Sequence, residues 1–175
     1  MTNLAELFPT LPQEADVWAY TAERKLSEIE QGALMDLMSG FQQQWSSHGR
    51  TVLSELIILD QQILLIGAAI AQGDISGCGI DKSLNVLESF SGQHGFSWIN
   101  SLLIPYRSDS GDLKIATRSE FRKLASEGRV HNQTRVLDVS VRRLEDFRSG
   151  NFEVTAGNSW HGKVFKLTQL QSAAH

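Results

Sequence analysis

The stretch Thr51 to Ile70 constrains the fold most. Two runs rich in leucine and β-branched residues, Thr51 to Leu59 and Ile63 to Ile70, stand either side of Asp60-Gln61-Gln62. Aliphatic and β-branched side chains suit a pleated, covered surface, and a short polar segment between two such runs fits a chain reversal, so the pattern predicts an antiparallel hairpin. The same interruption argues against a bilayer span. The apolar run Leu56 to Ala71 is too short to cross one and would strand three polar side chains in hydrocarbon.

The segments around the hairpin predict the rest of an α+β sandwich. Asp16 to Thr21 alternates Trp18 and Tyr20 with small or branched residues and reads as a first strand. Ser27 and Glu30 have capping-box spacing, and Ile29, Ala33, Leu34, Leu37, Met38, Phe41 and Trp45 share one helical face that Gly49 can stop. On this reading Trp45 and His48 lie on neighbouring positions near the helix end. A polar, glycine-rich loop, Gln72 to Gly79, leads into a second helix carrying Ile80, Leu84, Leu87 and Phe90 inward, with Gly92 and Gly95 bracketing its end. Leu102 to Tyr106 and Leu113 to Ala116 read as strands joined by a turn at Asp109 to Asp112. Thr117 and Glu120 form a second capping box for a helix ending at Gly128. From Arg135 follow a short strand, a helix over Val141 to Arg148 and an irregular segment with Ser159-Trp160-His161. The first six elements run β-α-β-β-α-β, the ferredoxin-like order, with an additional strand and helices at the C-terminal end. With 175 residues, no internal repeat and no linker, the expectation is a single α+β domain over residues 1–175.

Charge and cysteine content narrow the partners. Sixteen Lys+Arg against twenty Asp+Glu give a net charge of -4, so nucleic acid and anionic membrane surfaces are not expected partners. Cys78 is the only cysteine, which excludes an intramolecular disulfide and a thiolate zinc cluster. Neither metal nor cofactor is expected. Met1 to Pro12 lacks the basic and apolar regions of a secretory signal, so the expected compartment is the cytoplasm.

Val17-Trp18-Ala19-Tyr20, Gln44-Trp45 with His48-Gly49, Ser76-Gly77-Cys78-Gly79-Ile80-Asp81-Lys82-Ser83 and Ser159-Trp160-His161 form a pattern over almost the whole chain. In motif order and spacing it resembles a family of short bacterial proteins of about this length, commonly labelled "ABC transporter ATPase". Gly79 and Lys82 stand where serines are more usual in that family. The label implies ATP hydrolysis, which the residues do not support. Gly157 to Val164 spells G-x-x-x-x-G-K-V, with valine in place of the hydroxyl that binds magnesium and too short a tail for the following helix.

The candidate site is the segment Ser76 to Ser83. Gly77 and Gly79 around Cys78, ahead of a helix, permit a tight turn whose amides converge on an anion, while Asp81 could cap the helix and Lys82 could add positive charge. A thiolate at Cys78 would gain from the helix terminus, and His161 beside Trp160 is the candidate base. The structural alternative makes Gly-Cys-Gly a tight connection, Cys78 a small filler and Trp160 an anchor. Three functions remain open: binding a small anionic metabolite at Ser76, Gly77, Cys78, Gly79, Asp81, Lys82 and Ser83 with Trp160 as a pocket wall; a Cys78/His161 enzyme or thiol redox sensor; and an interaction module or homodimer paired through a sheet edge.

Overall fold

The computed structural model describes residues 3–168, without the side chain of Cys78. In chain order the elements are β1 (Asp16–Thr21), α1 (Glu28–Gln44), β2 (Ser46–Ser47), β3 (Arg50–Thr51), β4 (Leu53–Leu59), β5 (Ile63–Ala69), α2 (Gly77–His94), β6 (Leu103–Arg107), β7 (Leu113–Thr117), α3 (Arg118–Ser126), β8 (Arg135–Leu137), α4 (Leu144–Arg148), β9 (Glu153–Thr155) and α5 (Trp160–Phe165). They form two compact units: Leu4–Ile99 with Arg142–Ser149, and Asn3 with Asn100–Val141 and residues 150–168. Both combine helices with antiparallel sheet, so the α+β class holds. No linker composition marks the division, because the chain crosses it repeatedly.

The first unit is built on the expected hairpin. Asp60 and Gln61 both adopt positive φ (52° and 60°), as tight hairpin turns of matching twist require, and β4 pairs with β5 from Leu53↔Ala69 to Leu59↔Ile63. β1 adds to the other side of β5, giving the order β1-β5-β4. As the central strand, β5 is buried along almost its whole length. Leu64, Ile66 and Ala68 meet Leu34 and Met38 of α1 and Leu87 and Phe90 of α2 in one core. On the opposite face Gly67 leaves room for the N-terminal segment, since a Cβ there would stand 2.3 Å from the Phe8 ring and 2.8 Å from Leu11. The Arg148 guanidinium of α4 fastens this segment by donating to the carbonyls of Leu7 and Phe8.

The predicted fourth strand does not enter this sheet. Outside the named strands the described residues add two isolated antiparallel bridges here, Asp16↔Arg143 and Ala22↔Trp98, while β6 pairs with β7 and β8 in the second unit. The ferredoxin-like order therefore lacks the strand placed there at Leu102 to Tyr106. The first helix also stops sooner than its periodicity suggests. Trp45 is already extended (φ -73°, ψ 119°), and His48 and Gly49 turn β2 back onto β3 with φ of 52° and 73°. Trp45 and His48 thus do not share a helical face.

In the second unit β7-β6-β8-β9 form a four-stranded antiparallel sheet. Phe121 of α3 is buried among Ile104, Ala116, Val136, Ala156 and Phe165. Glu153 is buried and accepts two hydrogen bonds from Arg107, at 3.2 and 3.0 Å, so its charge is compensated. The segment expected to be irregular contains β9, a 3-10 turn at Ala156–Asn158 and α5. Among the described residues no helix is long and apolar enough to cross a membrane.

Candidate functional site

The first turn of α2 is organised by Ser76, not by Asp81. Ser76 is the N-cap (φ -67°, ψ 150°), and its hydroxyl accepts from the Gly79 amide at 3.3 Å. Its carbonyl takes the amides of Gly79 (2.9 Å) and Ile80 (3.3 Å). The Ser76 amide donates to Ser47 Oγ at 2.9 Å, and the two hydroxyls lie 3.2 Å apart. Most of the amides expected to converge on a ligand are thus engaged within the protein. Gly77, exposed at the first helical position, has no acceptor for its N–H among the described residues.

Asp81 and Lys82 are exposed and stand further up the helix, so the predicted capping role of Asp81 is corrected. Ser83 is buried and donates to the Ile80 carbonyl at 2.7 Å. Burial raises the Tyr20 phenol above its ordinary value, partly opposed by a hydrogen bond with Ser83. Of the predicted cluster, Ser76, Gly77 and Gly79 come together, Cys78 occupies the position between the two glycines, and the other three leave the turn.

Two residues that the sequence reading did not place at this turn complete it. Ser47 is buried and supplies the hydroxyl facing Ser76. Trp45, 3% exposed, packs against Phe41 and Trp18 with ring centroids 5.2 and 6.3 Å away. Its indole Nε1–H is buried and, among the described residues, has no acceptor. A Cβ on Gly79 would stand 3.2 Å from Trp45 Nε1 and 3.6 Å from Ser76 Oγ, so the unpaired donor and the capping hydroxyl flank one point that glycine leaves clear. A buried N–H without a partner costs on the order of 1–3 kcal/mol. The signal for this pair was the His48-Gly49 reversal, hidden because Trp45 continues the apolar spacing of α1.

In the second unit, Ser159 caps α5 and holds His161. Ser159 Oγ donates to the Ala156 carbonyl (2.9 Å), accepts from the His161 amide (3.3 Å) and lies 2.8 Å from His161 Nδ1. With the hydroxyl proton directed to Ala156, Nδ1 carries the hydrogen and Nε2 keeps the lone pair, an assignment that follows from the network. His161 is 2% exposed and stacked on Trp160 at 3.8 Å. Burial lowers its pKa to about 4; Asp138 opposes this and Arg118 reinforces it. The ring is neutral near pH 7 and roughly 300-fold less basic than ordinary imidazole, which weakens it as a general base. Trp160 itself is 41% exposed.

Cys78 belongs to the first unit and His161 to the second. The glycines of Gly157 to Val164 serve packing: a Cβ on Gly162 would stand 2.9 Å from the Ala156 carbonyl and 3.0 Å from Gly157 Cα. Among the described residues no group of three or more His, Cys, Asp or Glu side chains could hold a metal. Compared with known protein families, curated proteins and solved structures, the chain matches none.

Proposed function

We propose that the chain is a binding module that takes a small carboxylate at the first turn of α2. The observation that carries this reading is the buried, unpaired indole N–H of Trp45, which faces the same point as the Ser76 hydroxyl, next to the open Gly77 amide. A carboxylate oxygen at that point gives the indole the acceptor it lacks and gains from the positive end of an 18-residue helix. The donors are neutral and few, which suits one negative charge better than two. The first unit is also read as an abbreviated ferredoxin-like sandwich, supported by the order β1-β5-β4 and the bridge at Ala22 and Trp98.

Acetate titration followed by 1H–15N NMR tests the proposal. Saturable shifts centred on the Trp45 indole and the Gly77 amide are expected. Trp45→Phe removes the N–H and keeps an aromatic ring. Gly77→Pro removes the amide at a position where proline suits the helix, following a residue already in extended conformation. Each should weaken acetate binding at least tenfold. Absent saturation, or unchanged affinity in both variants, refutes the reading.

A further inference from the structure

We propose that Arg118 and Arg122, one turn apart on α3, form a fork that binds the phosphoryl group of a small ligand. The acidic whole conceals an uneven charge. Residues 100–141 and 150–168 hold nine Lys+Arg and six Asp+Glu, whereas residues 4–99 and 142–149 hold seven and fourteen. Within this basic unit Arg118 is the first residue of α3, where the helix terminus disfavours a cation, and it stands four residues before a second arginine. Both side chains are exposed, and neither has an ion-pair partner among the described residues. The nearby carboxylates are engaged: Glu120 accepts from the Thr117 amide at 2.7 Å, Glu127 faces Lys123 and Arg129 at 3.8 and 3.9 Å, and Asp138, which acts on His161, accepts from the Ser140 amide at 3.0 Å.

The fold also holds each guanidinium over an aromatic ring. Arg118 lies over the Trp160 ring at 5.5 Å and Arg122 over the Phe165 ring at 5.7 Å. Trp160 is itself braced by His161. These cation–π contacts restrain each side chain, and among the described residues no hydrogen bond engages its N–H donors, which leaves them available for bidentate recognition of an oxyanion. Two positive charges one helical turn apart in sequence, neither in an ion pair among the described residues, favour a doubly negative ligand, so a phosphate monoester fits better than a carboxylate. The two sites are separable, since acetate reports on α2 and phosphate on α3.

The test is titration of the full chain with inorganic phosphate and with glycerol 3-phosphate at constant ionic strength, read by NMR at the Trp160 indole and the arginine Nε–H groups. Saturable shifts at these groups are expected; tighter binding of glycerol 3-phosphate assigns the ligand as a monoester, and equal binding assigns the free ion. Arg118→Gln and Arg122→Gln should each weaken binding at least tenfold, and Arg118→Lys should recover only part, because a point charge lacks the fork. Ligand-free Arg118→Gln should unfold at the same or a higher temperature than the unaltered chain, whereas an arginine retained only to cover Trp160 would lower it. A lower unfolding temperature, absence of saturable binding, or unchanged affinity in both glutamine variants overturns the proposal.

Discussion

Acidification should destabilise the second unit through His161. Its folded pKa of about 4 lies below the ordinary 6.5, so between these values the unfolded chain binds a proton that the folded chain refuses. The sign follows: the contribution is fully present above pH 6.5 and is lost as pH falls through 4. A shift of this size corresponds to about 3 kcal/mol in total, of which about 2 kcal/mol disappears between pH 7 and pH 5. The structural cause is a ring 2% exposed, stacked on Trp160 and bonded through Nδ1 to Ser159, with no room to hydrate a charge. Other groups titrate over the same range, so the comparison is with His161→Phe, which keeps an aromatic ring and removes the proton site. Urea unfolding followed at the amide signals of β8 should fall by about 2 kcal/mol more in the unaltered chain than in His161→Phe on going from pH 7 to pH 5. The variant's loss from overpacking cancels, because only the pH difference is compared. Parallel curves would refute the burial argument, and a direct NMR titration placing the ring near 6.5 would do so independently.

Arg118→Gln should raise the His161 pKa, because the Arg118 charge lowers it; NMR titration of the ring reads the direction. Gly79→Ala should abolish acetate binding at α2, since its Cβ fills the point 3.2 Å from Trp45 Nε1; calorimetric titration checks this, and circular dichroism should show the helix intact. Gly67→Ala should cost about 1–3 kcal/mol in denaturant unfolding, as a Cβ 2.3 Å from Phe8 displaces a ring buried on the sheet. Ser27→Ala should cost about 1 kcal/mol by removing the cap of α1, measured in the same way.

Local rules read well from the sequence wherever one element decides the outcome. β1 begins and ends where alternation places it, and both capping boxes form as their spacing requires, at Ser27 with Glu30 and at Thr117 with Glu120. The failures occur where distant residues decide. Strand Leu103–Arg107 has the composition of a fourth strand for the first sheet, yet its pairing with β7 and β8 rests on partners that alternation cannot identify. Trp45 has the apolar spacing of α1 yet leaves the helix, because the following hairpin turns back through His48 and Gly49.

The same distinction explains why the candidate site was only half legible. Glycines ahead of a helix mark a place where backbone can approach a ligand, but they do not reveal which amides remain available. Ser76 is a strong N-cap and Ser47, 29 residues earlier, meets it, so a turn that looks open in sequence is mostly satisfied within the fold. Among the described residues, what stays unsatisfied is the amide of Gly77 and the indole of Trp45, the residue that follows α1. An N-cap serine that satisfies its own turn therefore shifts the evidence for binding from the glycines to Trp45. Removing its N–H without removing its ring is the perturbation that separates a ligand site from a well-capped helix.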